Sequence, residues 1–243
     1  MKTLSTDYGE VRVLDHEGIY AHTLEFIKAA ANDSADTLAP VGLTGGSTPK
    51  AFYQWVAQHD ALCLETASKL LWTTSDERCV PLEDDDNNFG HADRGMLAPL
   101  GLPGDNKLPW PTELEPEACA KVFNETWNEL YGPERSFDLC FVGMGGDLHT
   151  LSLFPQCPLI KDNPPESFAA TLWPSRGWRV TLTVAGLARC KQIVVSTTGA
   201  GKADALKDAL TGDYDPFNKP IQLLREHADK VTWLVDADAA AAL

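Results

Sequence analysis

Apolar residues in this chain come in two alternating rhythms. Short continuous runs are separated by stretches in which apolar residues return every three or four positions. The runs Val11–Leu14, Leu38–Leu43, Lys69–Thr74, Phe137–Val142, Gln192–Thr197 and Val231–Val235 read as strands. Glu17–Ala31, with Ile19, Ala21, Leu24, Ile27 and Ala30 on one face, reads as an amphipathic helix. Helices are also predicted over Pro49–Ala57, Phe89–Ala98, Glu115–Tyr131 and Lys202–Leu210. Phe168–Trp173 and Trp178–Val184, joined by Pro174–Gly177, form a predicted hairpin. Asp236 is expected to cap a last, alanine-rich helix. Strands alternating with helices predict an α/β fold: an open, largely parallel, twisted sheet with helices on both faces. No repeat or composition shift divides the chain, so residues 1–243 are expected to form one domain.

Composition narrows the partners. The chain is 243 residues long and 44% hydrophobic, with a formal net charge of −15. With no basic run, that charge argues against nucleic-acid and membrane-surface partners. No apolar run approaches the roughly 20 residues that span a bilayer, and the N-terminus lacks a signal-peptide core, so a soluble cytoplasmic protein is expected. Six cysteines include no CxxC pair, which speaks against structural zinc. Cys79, next to Arg78, is a candidate for a lowered thiol pKa. The acidic run Glu83–Asp86 lacks Ca²⁺-loop spacing and reads as a solvated loop.

Candidate chemistry collects at four strand ends, where open α/β sheets bind ligands. After the second long strand come Thr44, Gly45, Gly46, Ser47, Thr48 and Pro49. Thr48 suits a helix N-cap and Pro49 the first helical position, so the turn offers backbone N–H groups to an anion. After Thr74 comes the charged turn Ser75, Asp76, Glu77 and Arg78. Val142 leads into Gly143, Met144, Gly145, Gly146, Asp147, Leu148 and His149, which combine close-approach glycines with a neutral-pH base. The third position of a dinucleotide fingerprint holds Leu148, so that motif is incomplete. Thr197 leads into Gly199, Gly201 and Lys202, a cation at a helix start, where an anion would also sit. Arg179, opening a strand, is a further cation. Read singly, each turn also fits an ordinary capped or solvated loop. No GxSxG elbow marks a serine hydrolase.

Taken together, the motifs resemble a family. Gly45–Pro49, Asp76–Pro81, Asp86–Asn88, Gly143–Pro155, Arg179–Thr183, Gly199–Lys202 and Val231–Asp236 occur in the order seen in 6-phosphogluconolactonases, within the glucosamine-6-phosphate isomerase/6-phosphogluconolactonase superfamily. The resemblance runs from about Val11 to the end. It implies hydrolysis of 6-phospho-D-glucono-1,5-lactone to 6-phospho-D-gluconate in the oxidative pentose phosphate pathway, with neither metal nor organic cofactor, by a monomer or homodimer. By position it implies His149 as the general base, Asp147 as its or the substrate's positioner, and Arg78 in the catalytic set. Gly45, Gly46, Ser47, Thr48, Asp76, Arg179 and Lys202 are implied to hold the substrate and its phosphate. Amino-sugar-phosphate isomerases of the same superfamily carry a glutamate where this chain has Phe154. A sugar-phosphate-binding protein without turnover is the other alternative.

Three positions depart from the family's usual residues: Ser75 and Leu148 each replace a glycine, and Asn87 replaces a serine. If position 148 has positive φ, leucine there costs about 1–2 kcal/mol, and it is expected to tilt His149 and narrow the pocket.

Overall fold

A computed structural model describes residues 2–34 and 37–243. The strands are β1 (Lys2–Thr6), β2 (Gly9–Val13), β3 (Ala39–Leu43), β4 (Leu70–Thr74), β5 (Asp76–Arg78), β6 (Leu139–Val142), β7 (Phe168–Trp173), β8 (Gly177–Leu182), β9 (Gln192–Thr197) and β10 (Val231–Val235). The α-helices are α1 (His16–Asn32), α2 (Ser47–Gln58), α3 (Leu64–Ala67), α4 (Asn88–Ala92), α5 (Pro116–Tyr131), α6 (Pro158–Asp162), α7 (Val184–Ala188) and α8 (Ala203–Thr211). The large sheet has the order β1-β2-β10-β9-β6-β3-β4 and is parallel except for β1.

The inner strands read as continuous apolar runs because both faces are covered. Side chains of a strand alternate between faces, and the core divides accordingly. Leu139, Phe141, Val194 and Leu234 pack with Ile19, Ile27 and Phe52 of α1 and α2. Cys140, Val142, Ile193, Val195 and Trp233 pack with Phe123 and Trp127 of α5 and Leu206 of α8. Helices therefore cover both faces, as the pattern predicted. No helix among the described residues is long and apolar enough to cross a membrane.

Several local expectations change. The opening strand β1 is polar outside the core and has no apolar alternation to announce it; it forms a hairpin with β2. The run Trp178–Val184 ends two residues early, because Thr183 caps α7 by accepting a hydrogen bond from the Gly186 N–H at 3.0 Å. Phe89–Ala98 divides into α4 and a π-helical turn, Asp93–Leu97. The alanine-rich C-terminus makes hydrogen-bonded turns instead of a regular helix. Asp236 does accept the Ala239 N–H at 2.8 Å, but its two carboxylate oxygens also take the Gly199 N–H at 3.0 and 2.9 Å.

The charged segment after Thr74 is a larger change. It is a strand, β5, and it joins β8 and β7 in a separate antiparallel sheet of order β5-β8-β7. The predicted hairpin exists, but in this smaller sheet. An aromatic cluster packs it against α5: Phe168 meets Phe123 edge-on at 4.9 Å, and Phe123 stacks on Trp110 at 3.8 Å.

A candidate active site at the switch point

From β3 the chain steps to β4 on one side, then returns to β6 on the other. Where strand order reverses, the turns after β3 and β6 diverge and leave a crevice. An open cleft of about 210 Å³ lies there. It is lined by Thr44, Gly45 and Gly46 after β3, Asp76 and Arg78 of β5, Asn88, Gly143, Met144, Gly145, His149, Leu151 and Lys202.

The turn after β6 is knit by its own backbone. Gly145 N–H donates to His149 O at 2.9 Å, Leu148 N–H to Gly145 O at 3.1 Å, and Thr150 Oγ1 to Gly143 O at 2.9 Å. This loop curls the His149 ring back over Gly145. A Cβ at position 145 would lie 2.0 Å from His149 Nδ1 and 2.4 Å from Asp147 Oδ1, so a side chain there would force the imidazole and carboxylate to move. His149 Nδ1 lies 2.5 Å from Asp147 Oδ1 and donates to it. That bond sets the tautomer and leaves Nε2 as the basic nitrogen. Partial burial raises the Asp147 pKa, but the hydrogen bond and the charge of His149 outweigh it and hold the carboxyl below its ordinary value.

Leu148 has φ +66°, the left-handed conformation in which leucine is strained. Its side chain is buried in the core cluster and is not among the residues lining the cleft, so it does not narrow the pocket. Burying a leucine contributes roughly 1.5–3 kcal/mol, which offsets a strain of about 1–2 kcal/mol. The His149–Asp147 pair forms despite that strain. Leu151 is also left-handed, at φ +55°, a second strained residue that the sequence did not signal.

The other two departures also have local reasons. Ser75 is fully buried, and its hydroxyl reaches the carbonyls of Leu43 at 3.0 Å and Phe141 at 2.9 Å. It thus bridges the ends of β3 and β6 on either side of the crevice. Asn87 caps α4, its Oδ1 accepting the Gly90 N–H at 2.8 Å, as a serine would.

The small sheet brings one acidic and one basic side chain to the cleft, Asp76 and Arg78. Residues i and i+2 of a strand share a face, so Asp76 and Arg78 both line the cleft while Glu77 turns inward. Asp76 Oδ2 accepts the Ser152 hydroxyl at 2.7 Å. Arg78 donates to the Asp86 carbonyl and stands directly across from Arg179 of β8. Burial, and then the like charge of Arg78, lower the Arg179 pKa. From the large sheet, Lys202 lies on a short 3₁₀ turn just before α8, and its Nζ donates to Met144 O at 2.8 Å.

Of the ten residues implied to act on or hold the substrate, six line the cleft: Gly45, Gly46, Asp76, Arg78, His149 and Lys202. Asp147 stands behind His149. Ser47 and Thr48 do not line the cleft. The N-cap of α2 is Gly46, at φ +107°, and Thr48 instead hydrogen-bonds Thr198 at 2.8 Å and lines a nearly wholly apolar cavity behind the turn. Arg179 is a neighbour of Arg78 and not part of the lining. Cys79 is corrected as well: burial pushes its thiol up to about 11 despite the nearby arginine charge.

Glu77 and Asn88 had drawn no role from the pattern. Glu77 is 0% exposed. Its carboxylate accepts the backbone N–H groups of Asn88 at 2.7 Å, Phe89 at 2.8 Å and Arg78 at 2.9 Å. Burial pushes its pKa up to about 7, with those three bonds pulling the other way. Asn88 Nδ2 donates to Asp76 O at 3.1 Å, and a Cβ at Gly45 would fall 1.9 Å from Asn88 Oδ1. The glycine at 45 is thus required by an asparagine distant in sequence. Among the described residues no group of three or more His, Cys, Asp or Glu side chains is arranged to hold a metal ion.

The cleft at the switch point thus gathers a histidine, two glycine-rich turns and the cations Arg78 and Lys202 in an open, largely parallel α/β fold. The family described as glucosamine-6-phosphate isomerases/6-phosphogluconolactonase matches residues 15–233, and the chain belongs to it. It is 32% identical to the human 6-phosphogluconolactonase over 72% of this chain and 69% of that protein. It is 31% identical to the human GDH/6PGL endoplasmic bifunctional protein over 91% of this chain, but spans only 30% of that relative's length. The fold matches that of 6-phosphogluconolactonase from Trypanosoma cruzi with a TM-score of 0.81 at 21% identity, covering 100% of this chain and 99% of that one.

Proposed function

We propose that the chain hydrolyses 6-phospho-D-glucono-1,5-lactone to 6-phospho-D-gluconate, the second step of the oxidative pentose phosphate pathway. The observation that carries this reading is the His149–Asp147 pair at 2.5 Å, opening on a cleft shared with Arg78, Lys202 and the Gly45–Gly46 turn. His149 Nε2 takes a proton from water as the water oxygen bonds to the lactone carbonyl carbon. The carbonyl oxygen becomes an oxyanion, stabilised by the cations and backbone N–H groups of the cleft. When the tetrahedral intermediate collapses, the bond from carbon to ring oxygen breaks, and the imidazolium returns its proton to that oxygen. Asp147 keeps the Nδ1 proton in place and stabilises the imidazolium. A lactone is an activated ester, so no protein nucleophile is required. The phosphate, carried at the far end of the sugar, meets the remaining donors of the cleft.

The isomerase alternative needs an acid/base residue where this chain has Phe154. That ring is 7% exposed and stacks on Trp173 at 5.2 Å, which argues against it. The test is a coupled assay for 6-phosphogluconate from freshly made lactone, corrected for spontaneous hydrolysis. His149→Ala should lower kcat by about 10²–10⁴-fold. A near-native rate in that variant rejects the base, and wild-type protein that does not outrun spontaneous decay rejects the enzyme.

A further inference from the structure

One wall of His149 has no part in the chemistry described so far. The Trp173 ring meets the imidazole edge-on, with centroids 4.8 Å apart and planes at 75°. Trp173 is the last residue of β7, paired with Gly177 across the hairpin. Phe154 stacks on the indole at 5.2 Å and 20°, and the Arg176 guanidinium lies 4.5 Å from the centre of the same ring. The indole is therefore held from the core and from the hairpin turn while it touches the base. On another side of the imidazole, the Gly145 backbone approaches so closely that a Cβ there would displace the ring.

The χ2 torsion of a histidine is soft and broad, so a single hydrogen bond at Nδ1 leaves the ring free to pivot. A pivot about that bond swings Nε2 away from the water. The indole blocks it. We infer that Trp173 is a positioning residue for His149, holding the imidazole plane so that Nε2 stays aimed into the cleft, and that Arg176 steadies the indole in turn. This rests on His149 being the base. Trp173 does not itself line the cleft, so its contribution belongs to turnover and not to substrate binding.

Hydrolysis of the phosphorylated lactone and of plain gluconolactone should be compared in Trp173→Ala, Trp173→Phe, Arg176→Ala and His149→Ala, with thermal melting of each. Losing the aromatic pair should lower kcat about five- to tenfold in Trp173→Ala, equally for both lactones and with KM unchanged. Phenylalanine should restore most of the rate. Imidazolium quenches a neighbouring indole, so the emission difference between wild type and Trp173→Phe should fall as His149 is protonated and should lose that pH dependence in a His149→Ala background. If Trp173→Ala does not fold, Arg176→Ala carries the test, with a smaller kcat loss at constant KM expected. Native kcat in the folded Trp173 or Arg176 variant, while His149→Ala is inactive, overturns the inference and leaves the base intact. A change confined to KM overturns it too. Native activity in His149→Ala removes the reading beneath both.

Discussion

The two sheets supply one cleft in opposite ways. The large parallel sheet supplies whole turns: Thr44–Gly46, Gly143–His149 and the Lys202 turn each follow a strand and lead towards a helix or loop close by in the chain. Their geometry is local. The small antiparallel sheet supplies single side chains from β5, Asp76 and Arg78, and backs them with residues of distant segments: Arg179 of β8 across from Arg78, and Trp173 of β7 against His149. Glu77 ties that set to the start of α4 through backbone N–H groups eleven and twelve residues away. The proposed base, His149, and the glycine turns thus owe their placement to short-range backbone conformation. Arg78 and the Trp173 contact to His149 come from long-range pairing, whereas Lys202 comes from a local turn. Damage to a turn should disable chemistry, whereas damage to the small sheet should first cost stability.

Substitutions can break that contrast at decreasing scale. Gly145→Ala puts a methyl where His149 Nδ1 now lies and should reduce kcat by about 10²-fold with little change in melting temperature; unchanged kcat would show that the ring has room to retreat. Lys202→Ala removes one charged hydrogen-bond donor and should raise KM for the phosphorylated lactone about 10–100-fold. Unphosphorylated gluconolactone should be nearly unaffected, and an equal effect on both would refute a phosphate role.

Glu77→Gln tests the small sheet. The ordinary carboxyl value of 4.5 is raised to about 7 in the fold. Between those values the folded protein keeps a proton that the unfolded chain releases. The stability contributed by this ionisation is therefore full below about pH 4.5 and is lost as pH rises through 7. Each pH unit between the two values is worth about 1.4 kcal/mol, so the whole effect is a few kcal/mol. Urea midpoints of wild type relative to Glu77→Gln should decline from pH 5 to pH 8, and parallel curves would reject the buried ionisation. Smallest of all, Leu148→Gly relieves the φ strain but loses more in burial and chain entropy. It should destabilise by about 1 kcal/mol without widening the cleft or raising kcat; a faster, more stable variant would mean that strain dominates.

Legibility followed the same division. The inner strands announced themselves as apolar runs, and α1 and α5 by helical spacing, because burial on two faces or one is a local property of composition. The His149 turn was visible because its glycines, Asp147 and His149 follow an apolar strand within a few residues. Glu77 was hidden: a carboxylate amid Ser75, Asp76 and Arg78 looks solvated until the backbone donors of α4 are known. Thr48 misled because a threonine before proline suits an N-cap, while Gly46 takes that place at a positive φ open to glycine. β1 carried no signal, as its side chains meet mostly solvent.

The sequence by itself determined the alternating α/β plan, the glycine turns and the Asp147–His149 spacing, because backbone conformation and two-residue reach are set by neighbours in the chain. Only the tertiary structure decided which charges face the cleft, that Leu148 is buried in the core, and that Trp173, itself flanked by Phe154 and Arg176, stands against His149. Those outcomes depend on the pairing of β5, β8 and β7 and on which strand ends meet at the switch point. Such contacts join segments far apart in the chain, and their energy lies in close packing that a linear pattern does not record.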